Sequence, residues 1–177
     1  MKLKDIKIKI AEYFFTYPSA KLRVREIERL LTIPLPSVIR YCRELSKENI
    51  LTIITVGKIN FYTADRASEL FLLEKKLFNI RQLYRSGLIA HIKRELSNPP
   101  IVVFGSYSKG EDTETSDIDL SIETPSKKRI NLEKFEYLLK RKIQLFTYAH
   151  IKKISNHHLI NNIINGITLN NYVEVFP

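Results

Sequence analysis

The chain has 177 residues, of which 44% are hydrophobic and 27% charged, with five Gly and seven Pro; this balance excludes a disordered or fibrous chain and suits two small domains. A formal charge of +10 favours polyanionic partners, while the single cysteine, Cys42, excludes an intrachain disulfide and gives no basis for structural zinc. No apolar run is long enough to span a membrane, and Met1–Asp5 lacks the apolar continuation of a secretory signal, so a cytoplasmic protein with no membrane partner is expected.

Behind Asp5, an acceptable N-cap, Ile6, Ile10, Tyr13 and Phe14 recur at helical steps and predict an amphipathic helix that ends before Pro18. Leu3–Ile10 also alternates apolar residues with Lys, as a strand would, but the run Ala11–Phe15 extends the helical stripe. Val24, Ile27, Leu30 and Leu31 form one face of a second short helix, and Pro34 breaks the chain after it. A third helix is expected from Pro36 or Ser37 to about Glu48. Its apolar arc is Val38, Cys42 and Leu45, and Arg40, Arg43 and Lys47 project from the other side. Two β-rich runs follow, Ile50–Val56 and Ile59–Thr63, around Gly57-Lys58, where glycine at the first turn position suits a type II′ hairpin.

Three helices and a hairpin resemble the winged helix-turn-helix domains of prokaryotic transcription regulators, over about a third of the chain. The resemblance implies that residues 1–65 bind DNA, with Ser37, Arg40, Arg43 and Lys47 of the recognition helix in the major groove and Lys58 at the wing tip on phosphate. Such modules also dock proteins, and the cationic face is then a solvated surface. Charge does not decide between domains: 12 basic and 7 acidic residues up to Asp65, against 17 and 12 beyond it, leave both parts at +5.

Arg66–Leu96 is helical in pattern, with Leu70, Leu73, Leu77, Ile80, Tyr84, Leu88 and Ile92 at alternating three- and four-residue steps. Such a length exceeds an ordinary globular helix. Either it forms a dimer seam or it breaks near Gly87, giving a linker helix over residues 66–81 and a helix belonging to a second domain over 82–177. The break is favoured, and a homodimer would account for the extra apolar surface.

Asn98-Pro99-Pro100 ends the helical pattern, and Ile101–Phe104 reads as a buried strand. Gly105-Ser106 follows, then ten polar residues, Tyr107–Ser116, then the alternating run Asp117–Ile122, which reads as a neighbouring strand. Alternation aims Asp117 and Asp119 the same way, about 7 Å apart, and two such carboxylates repel unless a divalent cation with oxygen preference neutralises them. Gly105 lets the backbone approach a ligand, the Ser106 hydroxyl and nearby amides can receive a phosphate, and Lys109 can add a contact.

Phe104-Gly105-Ser106, ten residues, then Asp117-Ile118-Asp119 resembles the minimal nucleotidyltransferases of the DNA polymerase beta superfamily, over about residues 82–170. The resemblance implies an α+β protein: a winged helix-turn-helix domain, a connecting helix, and a nucleotidyltransferase-fold domain with a small mixed sheet and helices on one side. It implies transfer of a nucleoside monophosphate, AMP from ATP or another nucleoside triphosphate, to a hydroxyl, with Mg2+ or Mn2+ held by Asp117 and Asp119. Some minimal members are antitoxins that adenylylate a HEPN-type toxin, which makes a HEPN-type partner protein the first acceptor to examine.

The family places a third carboxylate on a later strand. Here that strand is expected at Lys142–Thr147, after a helix from about Leu132 to Arg141, and the corresponding position holds Gln144, which can hydrogen-bond but cannot deprotonate a hydroxyl. Glu123, beyond the strand end, and Glu133, on the helix, are poor replacements. A regulator that binds nucleotide without turnover is therefore the competing reading. His91, His150, His157 and His158 show no ligand spacing and read as packing or surface residues. Ser155–Asn165 reads as a helix closed by Gly166, and Ile167–Phe176 as a last extended stretch.

Overall fold

The stripe around Ile10 and Phe14 closes into helix α1, Leu3–Thr16, in the computed structural model, which describes residues 3–175. The helix starts ahead of Asp5, which falls inside its first turn and not at the cap position; the strand alternative does not form, and the stripe continues through Ala11–Phe15. Helix α2, Val24–Leu31, begins where the Glu26 carboxylate accepts the Arg23 N–H at 2.8 Å, and ends at Thr32 in left-handed conformation. Helix α3, Leu35–Lys47, carries Pro36 in its first turn, where no amide is needed, and buries Val38, Tyr41, Cys42 and Leu45.

Strands β1, Leu51–Val56, and β2, Ile59–Ala64, pair antiparallel around Gly57, whose φ of 63° is the positive value a primed hairpin turn requires at its first position. Tyr62 exchanges backbone hydrogen bonds with Leu22, so β2 also pairs with the segment leading into α2. Ile10, Phe14, Ile27, Val38 and Cys42 are wholly buried in one core, and each large apolar side chain there contributes about 1.5–3 kcal/mol. Burial pushes the Cys42 thiol up to about 12, which makes it a small hydrophobe.

The chain divides into two compact units, one ending at Phe78 and the other beginning at Asn79. The division falls within helix α4, Glu69–Arg85. The long helical pattern does break at Gly87, whose φ is 81°, and helix α5, Leu88–Glu95, follows.

In the second unit, β3 is Ile101–Phe104 and β4 is Ile118–Glu123. A short helix α6, Gly105–Lys109, occupies the start of the segment read from sequence as a polar loop. Helix α7, Glu133–Leu139, leads to β5, Ile143–Tyr148; a single 3-10 turn, Ile151–Lys153, precedes helix α8, His157–Ile164, and β6, Ile167–Asn170. Phe176, the expected end of the last extended stretch, lies outside the described residues.

The sheet order is β5-β4-β3-β6, with β4 and β5 parallel and the other pairs antiparallel. Alternation sends Ile101, Val103, Ile118, Leu120 and Ile122 into a core with α5 and α7 residues such as Ile92 and Phe135. Val102 and Phe104 point the other way, against Ile151 and Ile163. Helices therefore pack on both sheet faces and not on one side, because β3 is apolar on both. Gly166 does not cap α8 through a left-handed conformation: a Cβ there would stand 2.6 Å from Val102 Cγ1, so the position is small because the chain passes close to β3. Among the described residues no helix is long and apolar enough to cross a membrane.

Candidate functional site

Phe104 closes β3, and Gly105 turns the chain into α6 with a φ of 70° that suits glycine. A Cβ on Gly105 would lie 2.5 Å from Asp119 Oδ2, so the glycine is required twice, by its backbone and by the carboxylate against it. Phe104 is the register partner of Asp119 on β4, and Gln144 of β5 is the partner of Asp119 on the other side. Residues directly opposite in register share a sheet face, so Asp119 and Gln144 face the same way. The glutamine occupies the place expected from sequence for the third acid.

Asp117 immediately precedes β4 and is exposed, while Asp119 is half-buried. Burial, and then the charge of Asp117, hold the Asp119 carboxyl above the ordinary aspartate range. These residues fit a divalent cation: the pair offers hard oxygen donors whose mutual repulsion a cation relieves, and Gly105 leaves no side chain against the Asp119 carboxylate. Among the described residues no group of three or more His, Cys, Asp or Glu could hold a metal, so further ligands would have to come from phosphate oxygens and water.

Ser106, half-buried, stands in the first turn of α6, whose opening amides have no partner within the helix. The Ser108 hydroxyl donates to the Gly105 carbonyl at 2.8 Å, fixing this turn. Lys109 is exposed at the opposite end of α6, just before Gly110, whose φ is 78°. Asp117 also lines an open groove of about 520 Å³ with Ser116, Glu133, Tyr137, Lys140 and Lys142. Glu123 is the last residue of β4 and not beyond it; it lies opposite Tyr148, whose hydroxyl hydrogen-bonds Ser121 on the same face.

Sequence reading passed over Asp112, Asn79 and Arg141, which are 1%, 2% and 6% exposed. A lone acid in a polar loop gives no pattern by which to find it. His91 packs against the Phe135 ring at a tilt of 39° and His150 caps the 3-10 turn by accepting the Lys152 N–H, while His157 and His158 are exposed.

In the first unit, Arg40, Arg43 and Lys47 are exposed on α3, Ser37 is half-buried, and Lys58 is exposed at the hairpin tip. Arg40 is engaged within its own helix. Its Nε donates to Glu44 at 2.9 Å and its guanidinium lies 5.3 Å from the Tyr41 ring centroid, a pairing that the one-sided count of cations overlooked. Leu35, Pro36, Ile39, Arg40 and Arg43 line an open, largely apolar groove of about 570 Å³.

Comparison with curated proteins and with solved structures gives no match. Residues 87–169 match the family model described as nucleotidyltransferase domain, a span that contains Gly105, Ser106, Asp117, Asp119 and Gln144. Together with the mixed sheet, that match supports a nucleotidyltransferase fold for the second unit and nucleotidyl transfer as its general chemistry.

Proposed function

We propose that the second unit is a metal-dependent nucleotidyltransferase that moves AMP from ATP to a hydroxyl of a partner polypeptide, a HEPN-type toxin being the first acceptor to test. The observation that carries this reading is the contact between Gly105 and Asp119, which sets the glycine-serine turn against one of the two carboxylates. Asp117 and Asp119 would hold Mg2+ or Mn2+, while Ser106, the amides of α6 and Lys109 would receive the phosphate tail. When bound there, the metal supplies charge compensation for the triphosphate and polarises the α-phosphate. The acceptor oxygen bonds to the α-phosphorus as the bond to the β-phosphate bridging oxygen breaks, and pyrophosphate leaves. Gln144 cannot take the hydroxyl proton, so the proton passes to water.

Gln144 opposite Asp119 favours a second reading, a regulator whose second unit binds nucleotide without turnover. In both readings the first unit is a winged helix-turn-helix domain that binds DNA through Ser37, Arg40, Arg43, Lys47 and Lys58, supported by the exposed cations of α3 and the hairpin. A homodimer is proposed on the exposed leucines of α4, Leu70, Leu73 and Leu77, which are 42%, 50% and 47% accessible. Cytoplasmic residence belongs to the same reading.

The deciding experiment is incubation with labelled ATP and Mg2+ or Mn2+, with and without a HEPN-type protein encoded beside this chain. Label on that protein, lost in Asp117→Ala/Asp119→Ala, supports the transferase; metal-dependent ATP binding without transfer supports the regulator.

A further inference from the structure

The ten residues between Ser106 and Asp117 must hold the two ends of the site at a fixed separation, yet most of them are polar and near the surface. Tyr107, Ser108 and Gly110 are buried at its start, and Asp112 is the charged residue among the ten that is buried, at 1% exposure. A buried carboxylate is costly unless it is paired and hydrogen-bonded, so its position within this connector calls for a physical reason.

Its contacts supply one. Asn79 Nδ2 donates to Asp112 Oδ1 at 2.7 Å and to the Tyr107 carbonyl of α6 at 2.9 Å, so one amide ties the middle of the connector to its beginning. Arg141 Nη2 meets Asp112 Oδ2 at 3.5 Å. The next residue, Lys142, accepts the Ile118 N–H at 2.8 Å through its carbonyl, at the start of the strand pair that carries Asp119 and Gln144. Downstream, the Ser116 hydroxyl accepts the Thr113 N–H at 2.9 Å, closing the last turn before Asp117.

We propose that Asp112 is a positioning residue: clamped by Asn79 and Arg141, it fixes the connector so that Asp117 stands in register with Ser106 and Asp119 for one metal-nucleotide complex. The carboxylate touches neither metal nor substrate; it acts by ordering the backbone that does. Buried polar clusters of this kind specify a geometry at some cost in stability, here including a buried Arg141 Nε that makes no hydrogen bond, and they order the segment they hold. The metal arm of this inference rests on the reading of Asp117 and Asp119 given above.

The test uses the full chain and two readouts, amide hydrogen exchange over residues 110–117 and Mn2+ affinity in the presence of a non-hydrolysable ATP analogue. Asp112→Ala should speed exchange in that segment and weaken Mn2+ binding about 10-fold or more, as loss of an outer-shell partner does. Asp112→Asn, which keeps an acceptor for Asn79 and guards against a misfolded Ala variant, should fall between wild type and Ala in both. Unchanged exchange at residues 110–117, or faster exchange with Mn2+ affinity retained within about twofold, overturns the proposal; a drop in melting temperature alone would mark a merely structural residue. A wild-type chain that binds no Mn2+ overturns the metal site itself and the metal arm with it, while the exchange readout still decides whether Asp112 clamps the connector.

Discussion

The first unit keeps a nearly apolar interior and displays its proposed working side chains on the surface. In the second, polar groups run through the interior: of the eight buried polar or charged residues among those described, Thr63 and Lys75 precede the division and Asn79, Ser108, Asp112, Ser121, Thr124 and Arg141 follow it. Under the proposed function, the contrast reflects what each ligand would demand. A nucleic-acid backbone would be met by exposed cations, whose attraction is long-ranged and tolerant of position. A metal bound to a triphosphate needs oxygen donors held to within a fraction of an ångström, which surface side chains alone cannot supply.

Removing the carboxylates strains this comparison most. Asp117→Ala/Asp119→Ala should lower label transfer by about 10³-fold or more with the fold intact, measured by transfer assay and circular dichroism; retained transfer would move the chemistry elsewhere. Next in size is Gln144→Glu, which returns an acid opposite Asp119. It should raise transfer by about 10- to 100-fold if the missing base limits turnover. An unchanged rate in a chain that binds ATP would leave the regulator as the better account.

On the first unit, Arg40→Ala/Arg43→Ala should weaken DNA binding and reduce the slope of log K against log salt by about 2 if both touch phosphate. Because Arg40 already pairs with Glu44, a smaller change would mean that Arg43 carries more of the contact. Unaltered binding in fluorescence anisotropy would turn the α3 face into a solvated surface. Leu73→Glu/Leu77→Glu should weaken self-association about 10-fold or more in sedimentation equilibrium, and a wild-type chain that is monomeric at all concentrations would remove the dimer.

The smallest expected effect is titration of Asp119. Its folded carboxyl titrates above the ordinary range because of burial and Asp117, so the metal-free chain loses stability as pH rises through that value. Asp119→Asn in chelator should therefore raise the melting temperature by about 2 °C at neutral pH and leave it unchanged near pH 3. Metal affinity should run the other way, falling as acid protonates Asp119. Superimposable melting curves at both pH values would show that burial and the Asp117 charge do not raise the Asp119 carboxyl as described.

Periodicity made α2 legible to the residue and α3 to within one or two, because Val38, Cys42 and Leu45 repeat with the helix and Pro36 marks its first turn. The Gly-Ser turn and the two aspartates were legible because strand alternation is a local property. The interest of Gln144 came from the family resemblance, which expects an acid on the later strand, and the parallel pairing of β4 with β5 sets this residue beside Asp119. What spacing could not show was the second apolar face of β3, since a run buried on both sides, Ile101–Phe104, does not say what covers each.

The sequence by itself determined most of the elements, though not the short helix α6 or the 3-10 turn, together with the break at Gly87 and the residue types at Gly105, Ser106, Asp117 and Asp119, all of which depend on neighbours a few positions away. Only the tertiary structure decided that Asp119 closes against Gly105 and that Asp112 lies buried between Asn79 and Arg141. The contacts at Asp119 and Asp112 join residues separated by 14 to 33 positions, and such pairings are fixed by how sheet and helices pack together, which no local pattern encodes.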